Sequence, residues 1–209
     1  MISNFGIDIY KERLLGEYLD KQYPVIFEPK GFQIERVFDK AQQKQGIDVI
    51  LNKGDKFYHI DEKAQLDYID RPIPTFAFEI SFLIHDNWRQ GWLYDSSKTT
   101  DIYFLITDIC CNKKGFAKSG FKSVVIRGIY RTKLISFLEQ KGLNKDRLLD
   151  IEHSIRRSEK HGRHPLVELD EKTEGYMFYS FNNKSEKPIN LILKLDLLSN
   201  GEIGKIIKS

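Results

Sequence analysis

The 209 residues read as an α+β protein of sandwich-like build: a mixed central sheet behind an N-terminal helix, then C-terminal helices and a hairpin. Three observations predict this. Apolar residues recur at helical spacing over residues 4–22. Between residues 31 and 130, runs rich in β-branched and aromatic residues are separated by short turn signals. From Thr132 the spacing becomes helical again. Hydrophobic residues make up 41% and charged residues 30%, ordinary values for a chain with one sizeable core. One domain over 1–209 is expected, with a core over 1–130 and a helical-plus-hairpin extension over 131–209.

In the first segment Ile7, Leu14, Leu15, Tyr18 and Leu19 share one face, with Lys11, Glu12, Glu17 and Lys21 around it. Pro24, and then Pro29 to Gly31, are expected to end this helix. Three strands follow: GFQIERVF (31–38), GIDVIL (46–51) and KFYHIDEKAQ (56–65). Asn52-Lys53-Gly54-Asp55 lies between the last two, with glycine where a tight turn needs positive φ, so residues 46–65 read as a β-hairpin. PTFAFEISFLI, DIYFLITDI and FKSVVIRGIY are further strands, the first two apolar enough to be internal. Residues 131–142 form a helix ending at Gly142, and 144–160 a second one capped by Asn144. GYMFYSF and INLILKLDLL complete the chain as a terminal strand pair.

Several function classes lose support. The two cysteines, Cys110 and Cys111, are adjacent in an apolar run, which suits neither a disulfide framework nor a zinc site. Phosphate-loop, dinucleotide-fingerprint, nucleophile-elbow and zinc-protease motifs are missing from the sequence. Neither a signal-peptide pattern nor an apolar run long enough to span a membrane is found. The expected compartment is the cytoplasm, with no membrane partner. The net charge of +3 is mild and fits a nucleic-acid partner only if the cations cluster.

The chemistry-bearing residues sit on the hairpin. Side chains alternate along a strand, so Asp61, Lys63 and Gln65 share one face while Ile60, Glu62 and Ala64 take the other. Charge on an interior strand is expensive unless something satisfies it. Pairing around the turn brings Asp48 close to Asp61 and Lys63. Two close carboxylates call for a proton or cation between them, and oxygen donors favour magnesium or manganese over zinc. A plain cross-strand ion pair on a solvated face is the bland alternative.

An Asp on one strand followed by Asp-Glu-Lys on the next, behind an N-terminal helix, resembles the PD-(D/E)xK nuclease superfamily, the restriction-endonuclease-like fold. The resemblance covers roughly residues 5–108. It places the motif's acids on Asp48 and Asp61, its lysine on Lys63 and an accessory glutamine on Gln65. A helix glutamate would be Glu17, with Glu12 in reserve. It implies Mg²⁺ (or Mn²⁺) held by Asp48, Asp61, Glu17 and Glu62, the last through its carbonyl, and hydrolysis of DNA phosphodiesters. It also implies an α-β-β-β-α-β core, whose second helix would lie, much reduced, within HDNWRQGWLYDSSKTT (85–100). Ile47 stands where the motif has proline.

Lys98, Lys113, Lys114, Arg156, Arg157 and Arg163 are the candidate DNA-backbone contacts, although a basic helix end such as RRSEKHGRH is also favoured by the helix dipole alone. Trp88, Trp92 and Tyr94 could stack bases but more simply cap the core edge. Glu79 could join the metal site or be paired structurally, and Asp39 and Gln43 read first as turn residues. DNA is the expected partner, and a homodimer is allowed. The alternative to an enzyme is a catalytically silent nucleic-acid-binding or protein-interaction module on the same fold.

Overall fold

The computed structural model describes residues 5–182 and 185–208, with side chains of the first helix from Ile9 onward, so Ile7 lies outside the described side chains. In chain order, α1 spans Phe5–Phe27, β1 Gln33–Arg36, α2 Lys40–Lys44, β2 Val49–Lys53 and β3 Lys56–Ala64. β4 (Thr75–Ile84), β5 (Asn87–Gln90), β6 (Ile102–Cys111) and β7 (Phe121–Tyr130) follow. Then come α3 (Arg131–Gln140), α4 (Lys145–Ser158), β8 (Gly162–His164), β9 (Gly175–Tyr179), β10 (Ile189–Lys194), α5 (Leu195–Leu198) and β11 (Gly204–Lys208). This is an α+β chain, as the apolar periods predict. None of the described helices is long and apolar enough to cross a membrane.

The chain forms two compact units. The first comprises residues 1–73, 99–131 and 204–209, and the second residues 74–98 and 132–203. In place of one central sheet there are two. A mixed sheet of order β1-β2-β3-β6-β7-β11 builds the first unit, and an antiparallel sheet of order β5-β4-β10-β9-β8 builds the second. Apolar runs identify strands, but they do not say which sheet each strand joins.

In the first unit α1 runs past its expected end and carries Pro24 inside it. Leu15, Leu19, Tyr23 and Phe27 are all buried and lie four residues apart, so the last two extend the same stripe into the core. Burying two aromatic rings is worth about 1.5–3 kcal/mol each, which offsets the roughly 3 kcal/mol that an interior proline costs. α1 ends at Phe27 and passes into a 3₁₀ turn over Glu28–Lys30, closed where Gly31 adopts φ +79° and its N–H returns to the Glu28 carbonyl at 2.9 Å. β1, β2 and β3 form an antiparallel meander, and β6 lies parallel to β3. The β2–β3 turn is made by Gly54 (φ +62°) and Asp55, with Lys53 paired to Lys56.

The connection from β3 to β6 holds no α-helix, contrary to the expectation for residues 85–100. His85 and Asp86 both take positive φ, +48° and +61°, and reverse the chain so that β5 pairs back on β4. A two-residue turn of that kind joins strands and ends any helical path. β11 at the edge of the first sheet was not foreseen. It packs on β7 so closely that a Cβ at Gly204 would meet the Gly128 carbonyl oxygen at 2.3 Å.

The second unit buries a charged pair. Glu152 of α4 is fully buried, and its Oε1 accepts from Ser81 Oγ at 2.5 Å and from Arg156 Nε at 2.6 Å. Arg156 also donates to Ser81 Oγ at 2.6 Å and to the Lys187 carbonyl at 3.2 Å. Arg156, expected from the basic run as a backbone-contacting cation, is only 17% exposed and is committed to this buried carboxylate. A buried carboxylate needs a cation within bonding reach, and Arg156 sits one helical turn along. Asn144 caps α4 as expected, accepting from the Arg147 N–H at 2.9 Å.

Arg156→Ala should destabilise the protein by about 3–5 kcal/mol in urea denaturation, because Glu152 would stay buried without its countercharge. The exposed neighbour Arg157→Ala should stay within about 0.5 kcal/mol of wild type. Equal, small effects at both positions would remove the network from the account of this unit's stability.

Candidate active site on the β2–β3 hairpin

The site begins with register. Val49 pairs with Ile60, and one residue further along the Asp48 N–H donates to the Ile60 carbonyl at 2.8 Å. Asp48, at the bend leading into β2, is thereby held against β3, close enough for Asp61 and Lys63 both to act on its carboxyl. Asp61 is 2% exposed on β3, which lies between β2 and β6 in the sheet. Its Oδ1 is ion-paired with Lys63 Nζ, and its Oδ2 is buried without a hydrogen-bond partner. Asp48 Oδ2 accepts the Glu62 N–H at 2.8 Å. Burial pushes the Asp48 carboxyl up to about 6, and the nearby Asp61 charge adds to this. The Glu62 N–H and Lys63 act in the opposite sense. Asp48 and the orphaned Asp61 Oδ2 are the two oxygen donors that a hard cation could share.

Glu62 points to the other face of β3, as alternation requires. Its carboxylate is clamped by Arg36 and by the Tyr23 hydroxyl, and Arg36 also reaches Asp20 at 2.6 Å. Burial and the Glu62 charge hold the Tyr23 phenol well above its ordinary value. With its carboxylate committed in this way, Glu62 has only main-chain groups to offer a ligand. Sequence reasoning missed Arg36. The available signal was Glu62 itself, a carboxylate phased onto the α1 side of the sheet and so in need of a buried cation.

Gln65 departs from the expected phase. β3 ends at Ala64, and Gln65 (φ −86°, ψ 59°) opens a 3₁₀ turn over Leu66–Tyr68, its N–H bonded to the Ile106 carbonyl at 3.0 Å. Beyond the last ladder pair, Ala64 with Ile106, strand alternation no longer applies. Glu17 is exposed on α1, 4.0 Å from Arg13. It lines an open cleft of about 740 Å³ with Asp48 and Lys63. In formal charge the cleft is acidic. Glu12, Glu17, Asp20, Asp48 and Glu62 outnumber Arg13, Arg36 and Lys63. Among the described residues, no three Asp, Glu, His or Cys side chains gather into a metal-holding group.

The expected nucleic-acid contacts are divided between the two units. Lys113 and Lys114 are exposed in the β6–β7 connection of the first unit. Lys98, Arg157 and Arg163 belong to the second unit, where Arg163 pairs with Glu171 at 3.3 Å and lies over the Tyr176 ring at 4.7 Å. Trp92 packs on Phe78 at 5.3 Å and Tyr94 donates to the Leu143 carbonyl at 3.0 Å, so these two rings cap the second core. Glu79 lies in that unit as well, whereas the hairpin lies in the first. Asp39 caps α2 through the Gln42 N–H at 2.8 Å, and Gln43 donates to the Val37 carbonyl at 3.0 Å.

A raised carboxyl favours the fold while protonated. That contribution is complete below the ordinary value of 3.8 and is lost as pH rises through about 6. Asp48→Asn keeps an acceptor for the Glu62 N–H and removes the buried charge. In EDTA at pH 7.5 it should melt a few degrees above wild type, at roughly 2–4 °C per kcal/mol, and the gap should close by pH 4. A lower melting temperature at pH 7.5 would contradict this reading of Asp48.

No protein-family model matches the chain, and neither a curated protein nor a solved structure is significantly similar to it.

Proposed function

We propose that the protein is a metal-dependent nuclease of the PD-(D/E)xK kind, hydrolysing DNA phosphodiesters at the β2–β3 hairpin. The observation that carries this reading is Asp61. It is a carboxylate 2% exposed, bonded to Lys63 through one oxygen, with Asp48 as an electrostatic neighbour, and left with its second oxygen unpartnered. A buried acceptor without a donor costs about 1–3 kcal/mol, more when charged, so a cation at that oxygen would relieve the fold as well as serve chemistry. The order of the first unit adds support: a helix, a three-strand meander and a fourth strand parallel to the third.

Mg²⁺ or Mn²⁺ suits the donors, since such ions commonly take one or two carboxylates and fill the remaining positions with water and substrate phosphate. Asp48 and Asp61 would hold it, with the Glu62 carbonyl and Glu17 as further oxygens within reach of the reading. The bound ion would supply Lewis acidity and an acidified water. The chain's own part is positioning and charge. Lys63, already fixed by Asp61, neutralises charge developing on a phosphate oxygen or orients the attacking water. The acidic cleft disfavours a bare polyanion, which ties nucleic-acid approach to the presence of cations.

A second reading has an observation of its own. The Asp61–Lys63 pair is closed, and no three ligating groups gather among the described residues, which would suit a silent binding module. Plasmid and linear DNA with Mn²⁺ separate the two. Wild type should nick or degrade them, Lys63→Ala and Asp61→Asn should lose about 10²-fold or more, and DNA affinity should stay nearly constant. Mn²⁺ at a hundredfold excess over its Kd should stabilise by about 2.7 kcal/mol, read as a higher melting temperature that Asp61→Asn abolishes. Undiminished cleavage by Lys63→Ala would sink the nuclease assignment.

A further inference from the structure

Phe38 is 81% exposed at the wall of the cleft that also holds Asp48 and Lys63. Its exposure does not come from a loose loop. Val37 is buried, its N–H donates to the Asp48 carbonyl at 2.9 Å, and its carbonyl accepts from the Gln43 side chain at 3.0 Å. On the other side Asp39 caps α2. The ring is thus held outward between two anchored neighbours, one bonded directly to the main chain of a proposed metal ligand. Leaving a phenyl ring in water forgoes about 1.5–3 kcal/mol of burial.

We infer that Phe38 is a stacking platform for an unpaired nucleobase, so that the site takes single-stranded nucleic acid. The inference rests on the nuclease reading for what lies beside the ring. The charge of the cleft means that contact with a base, not with phosphate, has to carry the affinity. With five carboxylates against three cations, the walls offer a strand little grip on its phosphates, whereas an aromatic face binds any base without regard to charge. A base within a duplex is already stacked on both sides and must first be extruded at a cost of a few kcal/mol. Leu15, Leu19, Leu66 and Ile106 line the same cleft beside Gln43 and Lys63, so a base stacked on the ring would meet apolar surface as well as polar side chains.

The test uses the full chain with Ca²⁺ and one oligonucleotide carrying a single 2-aminopurine, as DNA, as RNA, and as DNA annealed to its complement. Wild type should bind the single strands more tightly than the duplex and quench the 2-aminopurine. Quenching of either sugar type supports stacking and identifies which one is taken. Phe38→Ala should weaken single-strand binding about 5- to 150-fold and abolish quenching, with little change for duplex. Phe38→Trp should retain both signals, and neither variant should shift the melting temperature. Unchanged affinity and quenching in Phe38→Ala, or a wild-type preference for duplex, would overturn the inference. A parallel Mn²⁺ cleavage assay of wild type and Asp61→Asn keeps the two readings apart. Asp61-dependent cutting with a silent Phe38 removes only the stacking role. Stacking without any cutting removes only the nuclease.

Discussion

On β3 two adjacent carboxylates are forced to opposite faces of one sheet, and each must find its own countercharge. Glu62 turns toward α1, where Arg36 of β1 and the hydroxyl of Tyr23 meet it, so one side chain ties the helix, the first strand and the third. Asp61 turns the other way and finds Lys63, two residues along the same strand, with the Asp48 carboxyl as an electrostatic neighbour. An uncompensated buried ion costs several kcal/mol, comparable to the whole margin of a folded domain, so the placement of these charges constrains everything packed around them. The compensation is thorough on the Glu62 side. On the Asp61 side it leaves one oxygen over, as it also does at Glu152 in the second unit.

The formal charge of the whole chain, +3, says little about where charge acts. Arg36 and Arg156 are spent on interior carboxylates, and Arg127 lies beside Asp108 at 3.2 Å, so several of the cations that make the chain basic are not available to a partner. The cleft beside the hairpin has the opposite sign. A protein that is mildly basic on average thus presents an acidic depression at its candidate site, an arrangement better suited to gathering small cations than to gripping a polyanion directly.

How much of this could be read from the residues depends on the range of the interaction. The hairpin was legible because Gly54 fixes a turn locally and period two fixes the faces, which placed Asp48, Asp61 and Lys63 together and Glu62 apart. α1 was legible from Leu15 and Leu19, but its true end was not. The burial of Tyr23 and Phe27 that carries it through Pro24 is tertiary. Gln65 falls outside β3, one residue beyond the last ladder pair where alternation ends, a boundary set by β6 and invisible within β3 itself. The division into two sheets, the reversal at His85–Asp86 and the partial burial of Arg156 all depend on partners 30 or more residues away along the chain, or on a turn type that sequence pattern does not announce.

β11 completes the first sheet some seventy residues after β7 in the chain, and the path there passes between the units at residues 73–74, 98–99, 131–132 and 203–204. During vectorial synthesis the ribosome therefore releases β7 long before its outer neighbour exists. Until residues 204–208 emerge, that strand presents an open row of amides and carbonyls, the kind of edge along which nascent chains pair with one another. The bare Cα at Gly204, set against the Gly128 carbonyl, lets the late strand close onto β7 without displacing side chains already in place.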